Sequence, residues 1–165
     1  MSTTEKYLRE AFAGESQANR KYTAFAIKAD KEGFAQAARL FRAAAAAEEV
    51  HARNHLRVLK AIKSTKENLQ AAISGEDEEW IAMYPTMIIA AKAEGNKAAE
   101  MSFNYANEVE KIHSRLYNKI LEGLSKNQET FPVYVCPYCG NTVEREAPGV
   151  CSVCGADGKL FSKVD

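Results

Sequence analysis

The chain has 165 residues, and its 22 basic and 22 acidic side chains give a formal net charge of zero. This length allows one domain of ordinary size plus a small appendage, and the balanced charge argues against a basic surface for nucleic acid or anionic lipid. The N-terminal residues are polar, and no apolar run reaches the roughly 18 to 20 residues of a membrane span. We therefore expect a cytoplasmic protein that binds neither nucleic acid nor membrane.

Residues 4–124 are rich in helix-forming side chains and carry apolar residues at helical spacing. Breaks fall at Gly33, at Gly95 and across residues 63–75. They predict four helices, over residues 4–31, 34–62, 76–93 and 96–124. Two short links and a long connection after the second helix are typical of an all-α, ferritin-like four-helix bundle.

Two Glu-x-x-His tetrads, Glu48–His51 and Glu110–His113, recur 62 positions apart within predicted helices. Residues three apart share a helix face, so each tetrad points a carboxylate and an imidazole the same way. In helical bundles this pattern is typical of a carboxylate-bridged dimetal site, to which each of the other two helices adds a Glu. A single tetrad could belong to a solvated, charged helix, but two tetrads in one repeat argue against that alternative.

The internal repeat predicts the missing carboxylates. The tetrads and the Glu-Gly links of the two halves of the chain match at an offset of 62 residues. The Lys-Ala pairs near the ends of the first and third helices match at an offset of 64. Residues 30–31 therefore have no counterpart in the second half. Carried back, the offset of 64 pairs Glu15 with Glu79. Tyr22, on the face of Glu15, could contact a ligand carboxylate or lie in the core. Mixed oxygen and nitrogen donors favour iron or manganese. The predicted dimetal ligands are Glu15, Glu48, His51, Glu79, Glu110 and His113.

All four cysteines lie in the C-terminal segment, as the pairs Cys136/Cys139 and Cys151/Cys154. Composition changes near residues 126–133, which predicts a helical domain over residues 1–130 and a small metal-binding β domain over residues 131–165. In a reducing compartment, two Cys-x-x-Cys pairs indicate a tetrahedral metal site. Cysteine spacing alone leaves iron and zinc as alternatives.

Together these features resemble the rubrerythrin family, in which a ferritin-like di-iron domain precedes a rubredoxin-like domain. The quoted motifs are Phe12-Ala13-Gly14-Glu15-Ser16, both tetrads, Met83-Tyr84-Pro85 and both cysteine pairs. The resemblance implies a peroxidase that reduces hydrogen peroxide to water at two iron ions, which receive electrons from Fe(Cys)4. It further implies an NAD(P)H-linked reductase or a rubredoxin as electron donor, and a homodimer. Some members of the family exchange helices between protomers.

One position departs from the family pattern. Rubrerythrins typically carry a seventh, exchanging Glu ligand directly before Met-Tyr-Pro, where this chain has Ala82. The resemblance therefore implies a centre with six protein ligands. Two other hypotheses remain open: an iron-handling protein that oxidises Fe(II) without efficient peroxidase turnover, and a catalytically idle protein that holds zinc or manganese.

Overall fold

The computed structural model describes residues 1–125 and 129–164. The chain is mostly helical, with a small C-terminal sheet and a cluster of four cysteines, which confirms the predicted fold class. It divides into two compact units, Met1–Lys63 and Ser64–Asp165. Residues 126–128 lie outside the described residues. The predicted division into domains over residues 1–130 and 131–165 stays a prediction. Among the described helices, none is both long and apolar enough to cross a membrane.

The first unit is a hairpin of two helices, α1 (Thr3–Lys31) and α2 (Ala35–Val58). Helix α1 begins at Ser2, whose hydroxyl accepts a hydrogen bond from the backbone N–H of Glu5. It ends before Gly33, whose φ of 83° forms a left-handed turn. The Asn19 amide donates to the carbonyl of Ala45 at 2.7 Å and so ties the two helices together. The buried positions between them are mostly alanines, which let the helices approach closely.

The connection between the units corrects the predicted helix boundaries. Helix α2 ends at Val58, short of residue 62, because Lys60 adopts a φ of 52° and turns the chain. The next helix, α3 (Thr65–Glu78), then starts eleven positions before the predicted residue 76. A capping box between Ser64 and Glu67 starts it there. The long connection predicted across residues 63–75 is therefore mostly helix.

The second unit continues with two further helices, α4 (Tyr84–Ala93) and α5 (Lys97–Glu122). Between α3 and α4 the chain stays helical through a π-helical segment, Glu79–Met83. A π-helical turn holds one residue more than the α-helical turn that it replaces. The segment directly precedes Tyr84-Pro85, where proline cannot donate a backbone hydrogen bond and so tolerates the altered turn.

A three-stranded antiparallel sheet follows, with β1 (Val133–Val135) between β2 (Thr142–Glu144) and β3 (Ser162–Val164). Its small core contains Phe161 and two of the cysteines, Cys136 and Cys151. Within this unit, strand β2 contacts α5, and Lys119 of α5 forms an ion pair with Glu144 of β2. The cysteine cluster is therefore held next to the helix that carries the second tetrad.

Candidate metal centres

The first hairpin brings together Glu15, Glu48 and His51, whose potential ligand atoms all lie within 4.8 Å of one another. The Nδ1 atom of His51 is 2.8 Å from Oε2 of Glu48 and 3.9 Å from Oε1 of Glu15. The tetrad supplies two of these donors from one face of α2, and α1 supplies the third. All three were predicted, and the structure places them together.

The second unit holds an equivalent group made of Glu76, Glu110 and His113. The Nδ1 atom of His113 is 2.7 Å from Oε2 of Glu110 and 3.7 Å from Oε1 of Glu76, so both distances match the first hairpin closely. Glu110 and His113 were predicted, but Glu76 was not. The predicted Glu79 lies one turn further along the helix and outside this group of three.

The repeat itself explains why Glu76 corresponds to Glu15. The N–H of Phe34 donates to the carbonyl of Ala29 at 2.9 Å, and the N–H of Asn96 donates to the carbonyl of Ala91 at the same distance. These identical helix ends are 62 residues apart, so the offset of 64 predicted there is wrong. The π-helical segment adds one residue to the second unit. On its N-terminal side the offset is therefore 61 instead of 62, and Glu15 corresponds to Glu76.

Aromatic pairs confirm the offset of 62 on the C-terminal side of the π-helical segment. Tyr22 lies 6.3 Å from Phe41 between ring centroids, and Tyr84 lies 6.4 Å from Phe103. Tyr22 also contacts Phe25 and is half-buried, so its predicted contact with a ligand carboxylate stays a prediction. Burial, together with the charges of three nearby glutamates, raises the pKa of Tyr84. The second tyrosine therefore lies beside the carboxylates and was missed from sequence.

Crowding of carboxylates gives the second group unusual electrostatics. Burial, the charge of Glu110, a hydrogen bond with Glu110 and the charge of Glu79 together raise the pKa of Glu76 to about 7. Burial and the charges of Glu110 and Glu78 raise the pKa of Glu79, while the nearby His113 acts in the opposite direction. Carboxylates this close repel one another unless protons or cations neutralise them. A bound cation would relieve this repulsion.

A hydrogen-bonded anchor sets the rotation of α3 against α5. The Asp77 carboxylate accepts hydrogen bonds from the Ser114 hydroxyl at 2.6 Å and from the Trp80 indole N–H at 2.9 Å. These two hydrogen bonds lower the pKa of Asp77. Asp77 and Ser114 directly adjoin Glu76 and His113 in sequence, so the anchor holds both donors of the group in register.

The two tetrad histidines differ in their surroundings. The His113 side chain is 26% exposed and its Nε2 atom lies 2.9 Å from the Thr142 hydroxyl of strand β2. The His51 side chain is 53% exposed. Sequence could not reveal the contact between His113 and Thr142, because 29 positions separate the two residues and they belong to different kinds of secondary structure.

The four predicted cysteines do form one cluster, with all sulfurs within 4.8 Å of one another. Cys136 and Cys154 are 3.6 Å apart between sulfurs, as are Cys139 and Cys151, and all four are free thiols. Gly140 and Gly155 follow the second cysteine of each pair with φ values of 82° and 78°, which glycine alone adopts readily.

Burial and hydrogen bonds shift the pKa values of three of the cysteines in different directions. Burial raises the pKa of Cys151, but hydrogen bonds from the backbone N–H groups of Cys154 and Val153 and from Asn141 outweigh it and lower that pKa to about 6. Burial raises the pKa of Cys139 and of Cys154. Thiolate is the form that binds metal, and four converging sulfurs fit a tetrahedral iron or zinc ion. The mixed carboxylate and imidazole groups fit iron or manganese.

Comparisons with known proteins identify the family of this chain. The family model described as Rubrerythrin matches residues 6–121. Rubrerythrin-2 of Clostridium acetobutylicum is 36% identical, over 96% of this chain and 95% of that protein. Rubrerythrin of Porphyromonas gingivalis is 38% identical, over 97% of this chain and 89% of that protein. A solved structure of nigerythrin in a mixed-valence state is 31% identical, with a TM-score of 0.60. The match covers 99% of this chain and 88% of the nigerythrin chain. The chain belongs to the rubrerythrin family.

Proposed function

We propose that this protein is a non-haem di-iron peroxidase that reduces hydrogen peroxide to water. Family membership supports a di-iron protein with a rubredoxin-like domain. The observation that carries the proposal is the pair of equivalent Glu/Glu/His groups, one on each helical hairpin, in a chain that also holds a four-cysteine cluster. We take these two groups as the two halves of one dimetal centre.

In this proposal Glu48 and Glu110 would supply the carboxylate ligands of the two tetrads, and His51 and His113 would supply the nitrogen ligands. Glu15 and Glu76 are the equivalent terminal carboxylates, because they hold the same position in the repeat. Glu79 then becomes an additional carboxylate next to the second histidine. The centre would have seven protein donors rather than the six expected from Ala82.

The net reaction consumes two electrons and two protons per peroxide and releases two molecules of water. The iron pair would supply both electrons to one O–O bond. The protein's task is to hold the donors in fixed positions, which the Asp77–Ser114 anchor and the contact between His113 and Thr142 achieve in the second unit. Tyr84, whose hydroxyl stays protonated at neutral pH, is placed to offer a hydrogen bond beside the carboxylates.

The cysteine cluster is proposed to hold one iron ion that passes electrons to the pair. Segment 140–142 supports this route, since Asn141 donates hydrogen bonds to the sulfurs of Cys139 and Cys151 and Thr142 contacts His113. Electrons would enter from an NAD(P)H-linked reductase or from a rubredoxin. A reducing cytoplasm would keep the thiols free and is the compartment we propose.

We also propose a homodimer. Both hairpins carry large exposed apolar side chains, such as Leu40, which is 68% exposed, and Ile89, which is 69% exposed. Clusters of exposed apolar side chains are common at interfaces between subunits. Exchange of hairpins between protomers would let one chain supply Glu48 and its partner supply Glu110 to the same centre.

The test of the function is peroxide consumption by the chemically reduced, iron-loaded chain. We expect rapid reoxidation by one equivalent of peroxide per iron pair, and sustained turnover with NAD(P)H and a suitable reductase. Failure of the prereduced protein to consume peroxide would rule the peroxidase out. Oxidation of Fe(II) by oxygen, unaffected by loss of the cysteines and without peroxide turnover, would favour the iron-handling alternative.

A further inference from the structure

The hydroxyl of Thr142 defines which nitrogen of His113 carries a proton. Thr142 Oγ1 lies 3.0 Å from the carbonyl oxygen of Gly140, to which it donates its hydrogen. The same oxygen lies 2.9 Å from Nε2 of His113 and is left to accept there. Nε2 must therefore carry a proton and donate it in this contact. The opposite nitrogen, Nδ1, faces Glu110 and Glu76.

The equivalent histidine has a different environment. Within the part of the chain that the structure describes, the ring of His51 contacts the carboxylates of Glu15 and Glu48, and more than half of its side chain is exposed. His113 is fixed on both sides of its ring, by Thr142 and by Glu110. Two positions that the repeat makes alike are thus made unequal by the C-terminal sheet.

Thr142 also lies in a segment that reaches the cysteine sulfurs. Its neighbour Asn141 is buried and donates hydrogen bonds to the sulfurs of Cys139 and Cys151, each at 3.5 Å. Gly140, which accepts from the Thr142 hydroxyl, directly follows Cys139. Movement of the cysteine cluster would therefore be transmitted to the His113 ring through two hydrogen bonds.

We propose that Thr142 is a positioning residue for metal binding: its hydroxyl holds His113 as the Nε2–H tautomer, with the Nδ1 lone pair presented to the metal ion. The inference rests on the proposed dimetal centre. An outer partner that orients a histidine ligand strengthens metal binding by about 10- to 100-fold. Thr142 thereby makes the metal position at His113 better defined than the one at His51. The position at His113 is also the one connected to the cysteine cluster by hydrogen bonds.

The experiment uses the full-length, ¹⁵N-labelled protein loaded with Zn²⁺, which is diamagnetic and binds imidazole nitrogen. The variants are Thr142→Val, which keeps the side-chain shape but removes the hydroxyl, and Thr142→Ser, which keeps the hydroxyl. Thr130→Val, at an exposed position of the same C-terminal segment, is the matched control. The readouts are the ring nitrogen shifts, the exchange of the His113 Nε2–H proton, and the Zn²⁺ affinity of the carboxylate–histidine site.

We expect a slowly exchanging Nε2–H proton on His113 in the natural protein, in Thr142→Ser and in Thr130→Val. In Thr142→Val this proton should exchange rapidly, and Zn²⁺ affinity should fall about 10-fold. A protected proton and unchanged affinity in Thr142→Val would overturn the positioning role while leaving the metal centre intact. Absence of any zinc-induced shift at Nδ1 of His113 in the natural protein would overturn both.

Discussion

Glu15 and Glu76 hold equivalent positions in the two hairpins, although they are 61 residues apart and the tetrads are 62 apart. In each hairpin the carboxylate approaches Nδ1 of the tetrad histidine, at 3.9 Å and 3.7 Å. The π-helical segment Glu79–Met83 holds one extra residue, which accounts for the difference between the two offsets. This one-residue insertion thus aligns Glu76, rather than Asp77, with Glu15.

This equivalence predicts that Glu76→Gln weakens metal binding as much as Glu15→Gln does. Each change removes one negative oxygen donor, and we expect about 10-fold or more loss of Mn²⁺ affinity. The electron paramagnetic resonance signal of free Mn²⁺ measures binding, and thiolate sites compete poorly for this hard ion. The matched control is Glu78→Gln, because Glu78 is exposed and adjoins the same helical turn. Natural affinity in Glu76→Gln, with weakened binding in Glu15→Gln, would break the proposed equivalence.

Glu76 also predicts a pH dependence of stability in the metal-free protein. This carboxyl ionises near pH 4.5 when unfolded and near pH 7 when folded. Between these values the folded chain retains a proton that the unfolded chain has lost, so the free energy of unfolding falls as pH rises. Because 20% of the Glu76 side chain stays exposed to screening solvent, we expect the free energy of unfolding to fall by about 1 kcal/mol across this pH range. Urea unfolding at several pH values measures it. Glu76→Gln should reduce this slope, with the remainder coming from Glu79, whose pKa is also raised. An unchanged slope would contradict the assignment.

The cysteine cluster predicts a separation of two activities. Cys136→Ser should abolish NAD(P)H-linked peroxide turnover, because the proposed electron route begins at the sulfurs, but it should leave Fe(II) oxidation by the carboxylate–histidine groups largely intact. Loss of the visible absorption of the Fe(III)–thiolate centre reports loss of the four-cysteine iron site. Exposed Ser152→Ala, within the second cysteine pair's loop, serves as the control. Normal peroxide turnover in Cys136→Ser would contradict the route.

Mixed dimers test how the two halves of the centre meet. The two hairpins belong to different compact units, and we expect protomers to exchange them. Glu48→Gln and Glu110→Gln chains should each lack activity. Co-expression should restore roughly a quarter of the natural activity, because half of random dimers are mixed and each mixed dimer has one intact centre. If each centre forms within one chain, every centre carries a substitution and no activity returns.

The candidate metal-binding residues on α2 and α5 were predictable because their spacing encodes geometry. A Glu-x-x-His tetrad places both donors on one helix face whatever the surroundings, and two Cys-x-x-Cys pairs fit a tetrahedral site in the same way. In the structure each tetrad brings its own Glu and His together, and the four cysteines form one cluster. Glu15 was nominated through the offset of 64 that paired it with Glu79, and it does lie beside the first tetrad although that offset is wrong.

Glu76 and Thr142 were out of reach for different reasons. A π-helical segment leaves no distinctive local composition, so the offset had to be read from helix ends, and a coincidental match of Lys-Ala pairs gave 64 in place of 62. The early start of α3 was hidden by polar residues, although Ser64 and Glu67 match the capping pattern. The contact between Thr142 and His113 depends on packing of strand β2 against α5 and has no local signature.

We propose that a cysteine-bound iron and a carboxylate-bound iron pair act together on peroxide. The most direct measurement is anaerobic stopped-flow spectroscopy of the reduced, iron-loaded chain mixed with hydrogen peroxide, with metal content determined on the same sample. We predict that peroxide restores the Fe(III)–thiolate absorption at a rate that falls at least 10-fold in Glu48→Gln, since electrons must leave through the iron pair. Return of that absorption at the same rate in both proteins would rule out electron flow through the iron pair.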